Sequence, residues 1–423
     1  MRVLVCPTAF KGSLTAARVA DAMREGVARG LPGAETTLLP LSDGGPGLLD
    51  ALRASEDGRL ETVPGVSGPL SAPARGPDAG APGGAGSERS GVGDEGARAG
   101  ATVPGRLLLL EDGRTAVVES ADACGLALLE PSARDPLRTH TRGVGDLVRA
   151  AMDRAPAALI VGLGGSATCD GGVGAARQSG YRFLDDRGGE LPDGGGALAD
   201  LAEIRPPAPD GREANTAPPV PELLALADVD NPLLGPEGAA ATYAPQKGAD
   251  RRAVERLESG LRQLVEVAAR DLEADPARVR AAAERPGAGA AGGLAFGLEV
   301  FFGARVTGGT AWVLRRVGFD RALERSDLVV TGEGAYDRTT DRGKVVGEVV
   351  RRARDSGVPV RLVCGRIEGR LPDGVLGEDG GGRTLDAEGV AAVTARAVGG
   401  ASEGGSGEDE SGRDGAGGRP PRG

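Results

Sequence analysis

Residues able to do chemistry gather beside glycines in this sequence. The stretch Gly162-Leu163-Gly164-Gly165-Ser166-Ala167-Thr168-Cys169-Asp170-Gly171-Gly172 joins backbone N–H groups, free of Cβ atoms, to two hydroxyls and one carboxylate. Such a loop can cradle anionic oxygens while Asp170 holds a metal or accepts a hydroxyl proton. The competing reading is a structural turn in which Asp170 caps the next helix. Ser42-Asp43-Gly44-Gly45 and Thr331-Gly332-Glu333-Gly334 repeat the carboxylate-beside-glycine theme, although Asp-Gly is also ordinary turn chemistry. Together with Asp170, Asp228 and Asp230 they suggest carboxylates arranged around a divalent ion. Mg²⁺ takes a few carboxylates and completes its shell with water and substrate phosphates. Carboxylates, glycine loops and lysines, without His or Cys ligands, are the components of phosphoryl transfer.

The lysines are informative through their scarcity. Of 50 basic residues only three are lysine: Lys11, Lys247 and Lys344. Each sits beside a glycine, in Phe10-Lys11-Gly12, Gln246-Lys247-Gly248 and Gly343-Lys344. Lysine is a compact, rotatable point charge, suited to meeting a phosphate or carboxylate in tight space where a planar guanidinium fits poorly. Asn231, one of two asparagines, lies just upstream of Lys247.

Other signals lead away from chemistry. Gly287–Gly292 is a literal G-x-G-x-x-G, but Arg278–Arg285 before it is charged and helix-like, so the strand that a dinucleotide fingerprint requires is missing. A loop opening a closely packed helix, or facing nucleotide phosphates, is the better reading. No G-x-x-x-x-G-K-[ST] occurs, which argues against a P-loop. His140 is the only histidine, and no histidine stands near Cys169 in sequence, so a Cys–His nucleophile is not indicated.

Six short apolar runs must position these residues: Arg2–Cys6, Thr36–Leu41, Ala157–Leu163, Leu223–Val229, Asp327–Thr331 and Val358–Cys364. None alternates cleanly, the pattern of parallel strands covered on both faces. A further β region between Glu61 and Leu110 is interrupted by low-complexity sequence. Helices are predicted over Leu14–Arg29, capped by Ser13, and over Gly143–Arg154, Gly172–Ser179 and Asp250–Glu273. Strand–helix alternation implies an α/β fold with parallel sheet, in which ligands bind beyond the carboxyl ends of the strands. Lys11, Asp43, Ser166, Asp170, Asp228, Asp230, Asn231, Glu333 and Asp337 all follow strand candidates, which predicts one shared rim.

Composition sets the outer limits. The 423 residues suit two domains, with aliphatic cores because aromatics make up only 2%. A net charge of −11 argues against a nucleic-acid footprint. The four isolated cysteines suggest neither disulfides nor zinc, and a reducing compartment fits. No apolar run approaches a membrane span and no signal peptide is visible, so a cytoplasmic location is expected. Residues 76–105, 206–221 and 399–423 are too polar and glycine-rich to order themselves and are expected to be disordered.

The motifs, taken in order, resemble the bacterial type-I glycerate kinase family. They are Cys6-Pro7-Thr8-Ala9-Phe10-Lys11-Gly12-Ser13, Leu39–Gly45, Gly164–Gly172, Asp228-Val229-Asp230-Asn231-Pro232-Leu233, Pro245-Gln246-Lys247-Gly248, Pro286–Gly293 and Leu328–Gly334. The resemblance implies two α/β domains, one with a Rossmann- or flavodoxin-like parallel sheet, and an active site in the interdomain cleft. It divides the chain into 1–70 with 285–397 and a second domain at 105–284. It further implies ATP-dependent phosphorylation of D-glycerate, commonly at the 2-hydroxyl, by a monomer or homodimer using Mg²⁺. The residues carried over are Asp170, Lys11 and Lys247 as catalytic groups, with Asp170 as base. Ser13, Gly164, Gly165, Ser166, Asp230, Asn231, Gln246, Gly289 and Gly292 would bind substrate or nucleotide, and Asp43, Glu333 and Asp337 the metal. Thr8-Ala9, Pro46, Cys169, Ala335 and Val345-Val346 depart from the family pattern. These departures leave open another small hydroxy acid or polyol as substrate, or a non-catalytic binder of the same fold.

Overall fold

The computed structural model describes residues 1–10, 12–71, 100–110, 112–208, 222–272, 275–337 and 344–399. Five strands precede residue 120: β1 (Arg2–Val5), β2 (Glu35–Leu38), β3 (Gly58–Ser67), β4 (Thr102–Leu110) and β5 (Thr115–Glu119). They are followed by β6 (Ala158–Gly162), β7 (Arg182–Leu184), β8 (Glu203–Arg205), β9 (Glu222–Leu226) and β10 (Arg305–Thr307). The last three are β11 (Leu328–Tyr336), β12 (Val360–Ile367) and β13 (Val375–Asp379).

Two sheets carry the architecture. One is wholly parallel, in the order β13-β12-β11-β1-β2. The other runs β10-β9-β6-β5-β4-β3, parallel as far as β5 and antiparallel at β4 and β3. Strands β7 and β8 form a separate antiparallel ribbon. The central parallel strands β1, β11 and β12 are unalternating apolar runs, and Val3, Leu4, Val5, Val329, Val330 and Leu362 are all buried, whereas β2 alternates. All six predicted runs are strands. β11 extends past Thr331 to Tyr336, so Glu333 lies within the strand rather than after it.

Local signals explain the main helices. Helix α1 (Ala16–Gly30) is capped by Thr15, whose hydroxyl accepts from Arg18 N at 3.4 Å. Ser13, the expected cap, instead donates to the Phe10 carbonyl at 3.2 Å, because the chain turns once more before the helix begins. The amphipathic stretch predicted over Asp250–Glu273 is the helix Arg251–Asp271, with Asp250 as its cap, accepting from Ala253 N at 2.8 Å. Helix α2 (Leu48–Ser55) has Gly47 at its cap and no side-chain cap of its own.

The sheets do not divide the chain at residues 70 and 285. Strand β3 lies within 1–70 and β10 within 285–397, yet both pair into the six-stranded sheet. β3 is held there by its antiparallel register with β4, and β10 by its parallel pairing with β9. A continuous apolar cluster then joins the two sheets through α2, with Leu4 and Leu362 on one side, Leu49 and Leu52 between, and Ile160 and Leu224 on the other. The expected disordered segment 76–105 is also shorter at its end. Thr102–Gly105 belong to β4, where Val103 pairs with Val66 and is buried, while 72–99 lie outside the described residues. Most of 206–221 and all of 400–423 also lie outside them. Gly399 closes the helix Ala387–Gly399, which packs on α1.

The Gly287–Gly292 run opens the helix Ala290–Phe302, whose first turn is kinked by left-handed backbone at Ala291, Gly292 and Gly293. A Cβ on Gly292 would lie 2.0 Å from the Thr168 carbonyl oxygen. The glycines are there for close approach. Gly292 and Gly303 share φ +71°, but nothing lies within 4 Å of a Cβ at Gly303. Gly303→Ala is therefore expected to cost about 1–2 kcal/mol, the left-handed backbone penalty alone. Gly292→Ala adds a clash with backbone and should cost at least ~1–3 kcal/mol more. Urea unfolding of the two variants checks the difference.

Candidate active site

A cavity of about 440 Å³ opens at the carboxyl ends of β1, β11 and β12. This is where an open parallel sheet binds its ligands. Ser13, Asp43, Glu333, Asp337 and Lys344 line it, five residues that the sequence singles out. Lys11 lies outside the described residues, between the cavity-lining Phe10 and Ser13 in sequence. Arg366 and Arg383 also line the wall and escaped the sequence reading. Arg366 sits just past the run Val358–Cys364, and in the sheet register it lies beside Ala335.

Asp43 is presented by a tight turn. Its Oδ1 accepts from Gly45 N at 2.9 Å, and the Ser42 hydroxyl accepts from Gly44 N at 3.2 Å. The turn is enclosed by the second sheet. A Cβ on Gly309 would fall 2.0 Å from the Asp43 carbonyl oxygen, and one on Gly165 would meet the Pro46 ring at 2.8 Å. Asp228, at the end of β9, accepts from Thr310 N at 2.8 Å and from the Thr310 hydroxyl. That residue reaches the surface, yet enough protein surrounds its carboxylate for desolvation to raise its pKa, and the charge of Asp43 adds to the rise. Asp43 and Asp228 are thus close enough to feel each other across the junction of the sheets.

Of the other predicted site residues, Lys247, Ser166 and Asp170 are buried behind this junction. Lys247 is 3% exposed and donates to Ser166 Oγ at 3.0 Å and to the Thr168 carbonyl at 2.7 Å. Burial holds its ammonium below its ordinary pKa. Asp170, 1% exposed, accepts from Thr141 N and Oγ1 at 2.9 Å each, from Gly174 N at 3.0 Å and from Gly172 N at 3.2 Å. Its carboxylate is occupied by Thr141, ahead of the helix Arg142–Met152, and by the Gly172 and Gly174 N–H groups at the start of the helix Val173–Gln178, the capping role that the sequence also allowed. Gly164 and Gly165 pack against Gly45 and Pro46. Asn231 is held by its neighbours: its amide donates to the Glu237 carbonyl at 2.7 Å and accepts from the Tyr243 hydroxyl at 2.5 Å. Gly289 N donates to the Asn231 carbonyl at 3.0 Å, whereas Asp230 and Gln246 are exposed. None of these residues lines the cavity.

Cys169 and the other three cysteines are buried and unpaired, and burial pushes the Cys169 thiol up to about 11. His140 bonds the Ser71 hydroxyl at 2.9 Å and approaches Asp193, not a cysteine, and burial lowers its pKa. As for a metal, Asp43, Glu333 and Asp337 share the cavity, but among the described residues no three His, Cys, Asp or Glu side chains converge at metal-ligand spacing. A Mg²⁺ completed by water and phosphate oxygens needs only one or two carboxylates, and the donors present fit that demand.

Glu119 was not foreseen. It ends β5, is 1% exposed, and accepts from Leu49 N at 2.8 Å and from Gly47 N at 3.2 and 3.1 Å. It therefore supplies the cap that α2 lacks, from a strand of the opposite sheet. Only the rule that polar residues follow buried strands pointed towards it, and Thr115–Val118 is too short to stand out in sequence.

The occupied carboxylate of Asp170 makes a distinction measurable. Asp170→Asn leaves at least one N–H donor facing an amide NH₂, and should lower unfolding stability by about 2–3 kcal/mol. Activity lost without that destabilisation, in urea titrations beside kinetics, would mark Asp170 as a base instead.

Comparison with known proteins extends over most of the chain. The model of the glycerate kinase family matches residues 3–79 and 89–376. A glycerate kinase of Bacillus subtilis (strain 168) is 38% identical over 368 residues, 87% of this chain and 85% of that protein. A glycerate 2-kinase of Escherichia coli (strain K12) is 33% identical over 367 residues, 87% of this chain and 86% of that one. The crystal structure of a putative glycerate kinase 2 from Salmonella typhimurium LT2 superposes with a TM-score of 0.73 at 32% identity, covering 95% of this chain and 97% of that chain. With a matching fold, matching motifs and a family match on this scale, the chain belongs to the glycerate kinase family.

Proposed function

We propose that this protein transfers the γ-phosphoryl group of ATP to the 2-hydroxyl of D-glycerate. The observation that carries the reading is the cavity at the carboxyl end of the parallel sheet, where the motif carboxylates Asp43 and Glu333 meet the cations Lys344, Arg366 and Arg383. The relative named glycerate 2-kinase supports the choice of hydroxyl.

Phosphoryl transfer asks for positioning and charge neutralisation more than for proton abstraction. Lys344, Arg366 and Arg383 supply positive charge on one wall, and Lys11 is assigned the same task from its motif. Asp43 and Glu333, with Asp337 near by, are the carboxylates that would hold Mg²⁺, which when bound neutralises phosphate charge. Lys247 and Asp170 act on the rim indirectly. They fix the Gly164–Gly172 loop, which in turn braces Pro46 and the Asp43 turn. Among the described residues no helix is long and apolar enough to cross a membrane. The four unpaired thiols suit a cytoplasmic protein.

With D-glycerate, ATP and Mg²⁺, a coupled assay should show ADP production. Coupling through enolase should consume the product directly, because 2-phosphoglycerate needs no mutase. Product accepted by enolase only after mutase is added would move the phosphoryl group to the 3-hydroxyl. Asp43→Asn is expected to lower kcat by about 10²-fold, with unfolding stability nearly unchanged because the residue is exposed.

A further inference from the structure

We infer that Glu119 is a positioning residue for the phosphoryl-transfer site, clamping the Asp43 turn of one sheet to the end of β5 in the other. The inference rests on the functional reading above. It stands first on geometry. Gly47 carries φ +94° and offers no side chain; Leu48 N reaches the Gly45 carbonyl at 3.2 Å, but no side chain of the turn serves Gly47 N or Leu49 N. Glu119 meets both Gly47 N and Leu49 N, and in doing so sets where the Ser42–Gly47 segment leaves the sheet. A carboxylate at a helix N-terminus is also favoured by the aligned peptide dipoles. Pro46 and Gly47, at the clamped end of the turn, line the cavity together with Asp43.

The charges around the clamp are few and can be enumerated. Arg106, on β4, approaches Glu119 at 3.5 Å and is shared with Asp122 at 2.9 Å and Asp50 at 3.4 Å. Asp122 belongs to the short helix Ala121–Cys124 and Asp50 to α2, so one guanidinium faces three carboxylates from three elements. Burial pushes the Glu119 carboxyl up to about 7, against the backbone donors and Arg106, while Asp122 adds to the rise. The ionised form accepts backbone N–H bonds more strongly than the protonated one. Within the folded protein, where the carboxyl stays enclosed whether or not the turn is held, the clamp therefore tightens as pH rises through neutrality and loosens below it. Its effect on global stability has the opposite sign. The carboxyl binds its proton more tightly when folded, so its contribution is complete below the ordinary Glu value and is lost as pH rises through about 7.

Glu119→Gln keeps the shape and one acceptor oxygen but cannot titrate. In the full chain, wild-type kcat for D-glycerate phosphorylation should fall about three- to tenfold from pH 8 to pH 6, since a misplaced catalytic loop costs rate more than binding. Glu119→Gln should be flat over that range, near the wild-type acid value, with KM for ATP changed less than kcat. A variant that keeps both the wild-type kcat and its acid limb overturns the proposal. Hydrogen exchange of the Ser42–Leu49 amides, corrected for intrinsic rates, provides a readout that needs no turnover. Protection there should rise from pH 6 to pH 8 in the wild type and not in Glu119→Gln. Protection that is equal and pH-independent in both proteins refutes the clamp even if glycerate is phosphorylated. The expected exchange difference without glycerate turnover keeps the clamp and sinks the kinase reading.

Discussion

The turn Ser42–Gly47 has to satisfy two sheets at once. It leaves the wholly parallel sheet after β2, carries Asp43 into the cavity, and enters α2, whose apolar face belongs to the core shared by both sheets. On its other side stand Gly309, Gly165 and the end of β9, with no room for a Cβ at either glycine. Moving one sheet relative to the other would shift this turn, and with it the carboxylate that the cavity presents. The continuous aliphatic cluster through Leu49 and Leu52 makes such a shift costly, because close-packed interiors resist small displacements.

The buried polar knot has a related purpose. Lys247, Ser166, Thr168, Asp170 and Thr141 lie away from the cavity, yet they hold the glycine loop that supports Pro46. A buried ammonium and a buried carboxylate are expensive unless their donors and acceptors are met. Here Asp170 meets four donors and Lys247 two acceptors, so the loop is specified as one conformation. Lys247 is met by Ser166 and Thr168 away from the cavity, where a compact ammonium on a flexible stem serves both acceptors. Lys344, whose surroundings depart most from the family pattern, is the lysine found on the cavity wall.

Sequence alone was enough for the α/β class, six of the parallel strands and the reading that the Gly287–Gly292 run opens a helix rather than following a strand. Each of these follows from local signals: short aliphatic runs, and glycines with no strand before them. It also placed Asp43, Glu333 and Asp337 on one rim, because all follow or end strands of one parallel sheet. Tertiary structure alone decided which side of a loop each polar group faces, so Asp170 and Lys247 turn inward although their motifs read like a binding loop. It also decided that β3 and β10 join the six-stranded sheet, through pairings across loops whose closure leaves no local trace. Glu119 is the extreme case. Its partners lie about seventy positions away in the chain, and only folding brings the end of β5 to the uncapped start of α2.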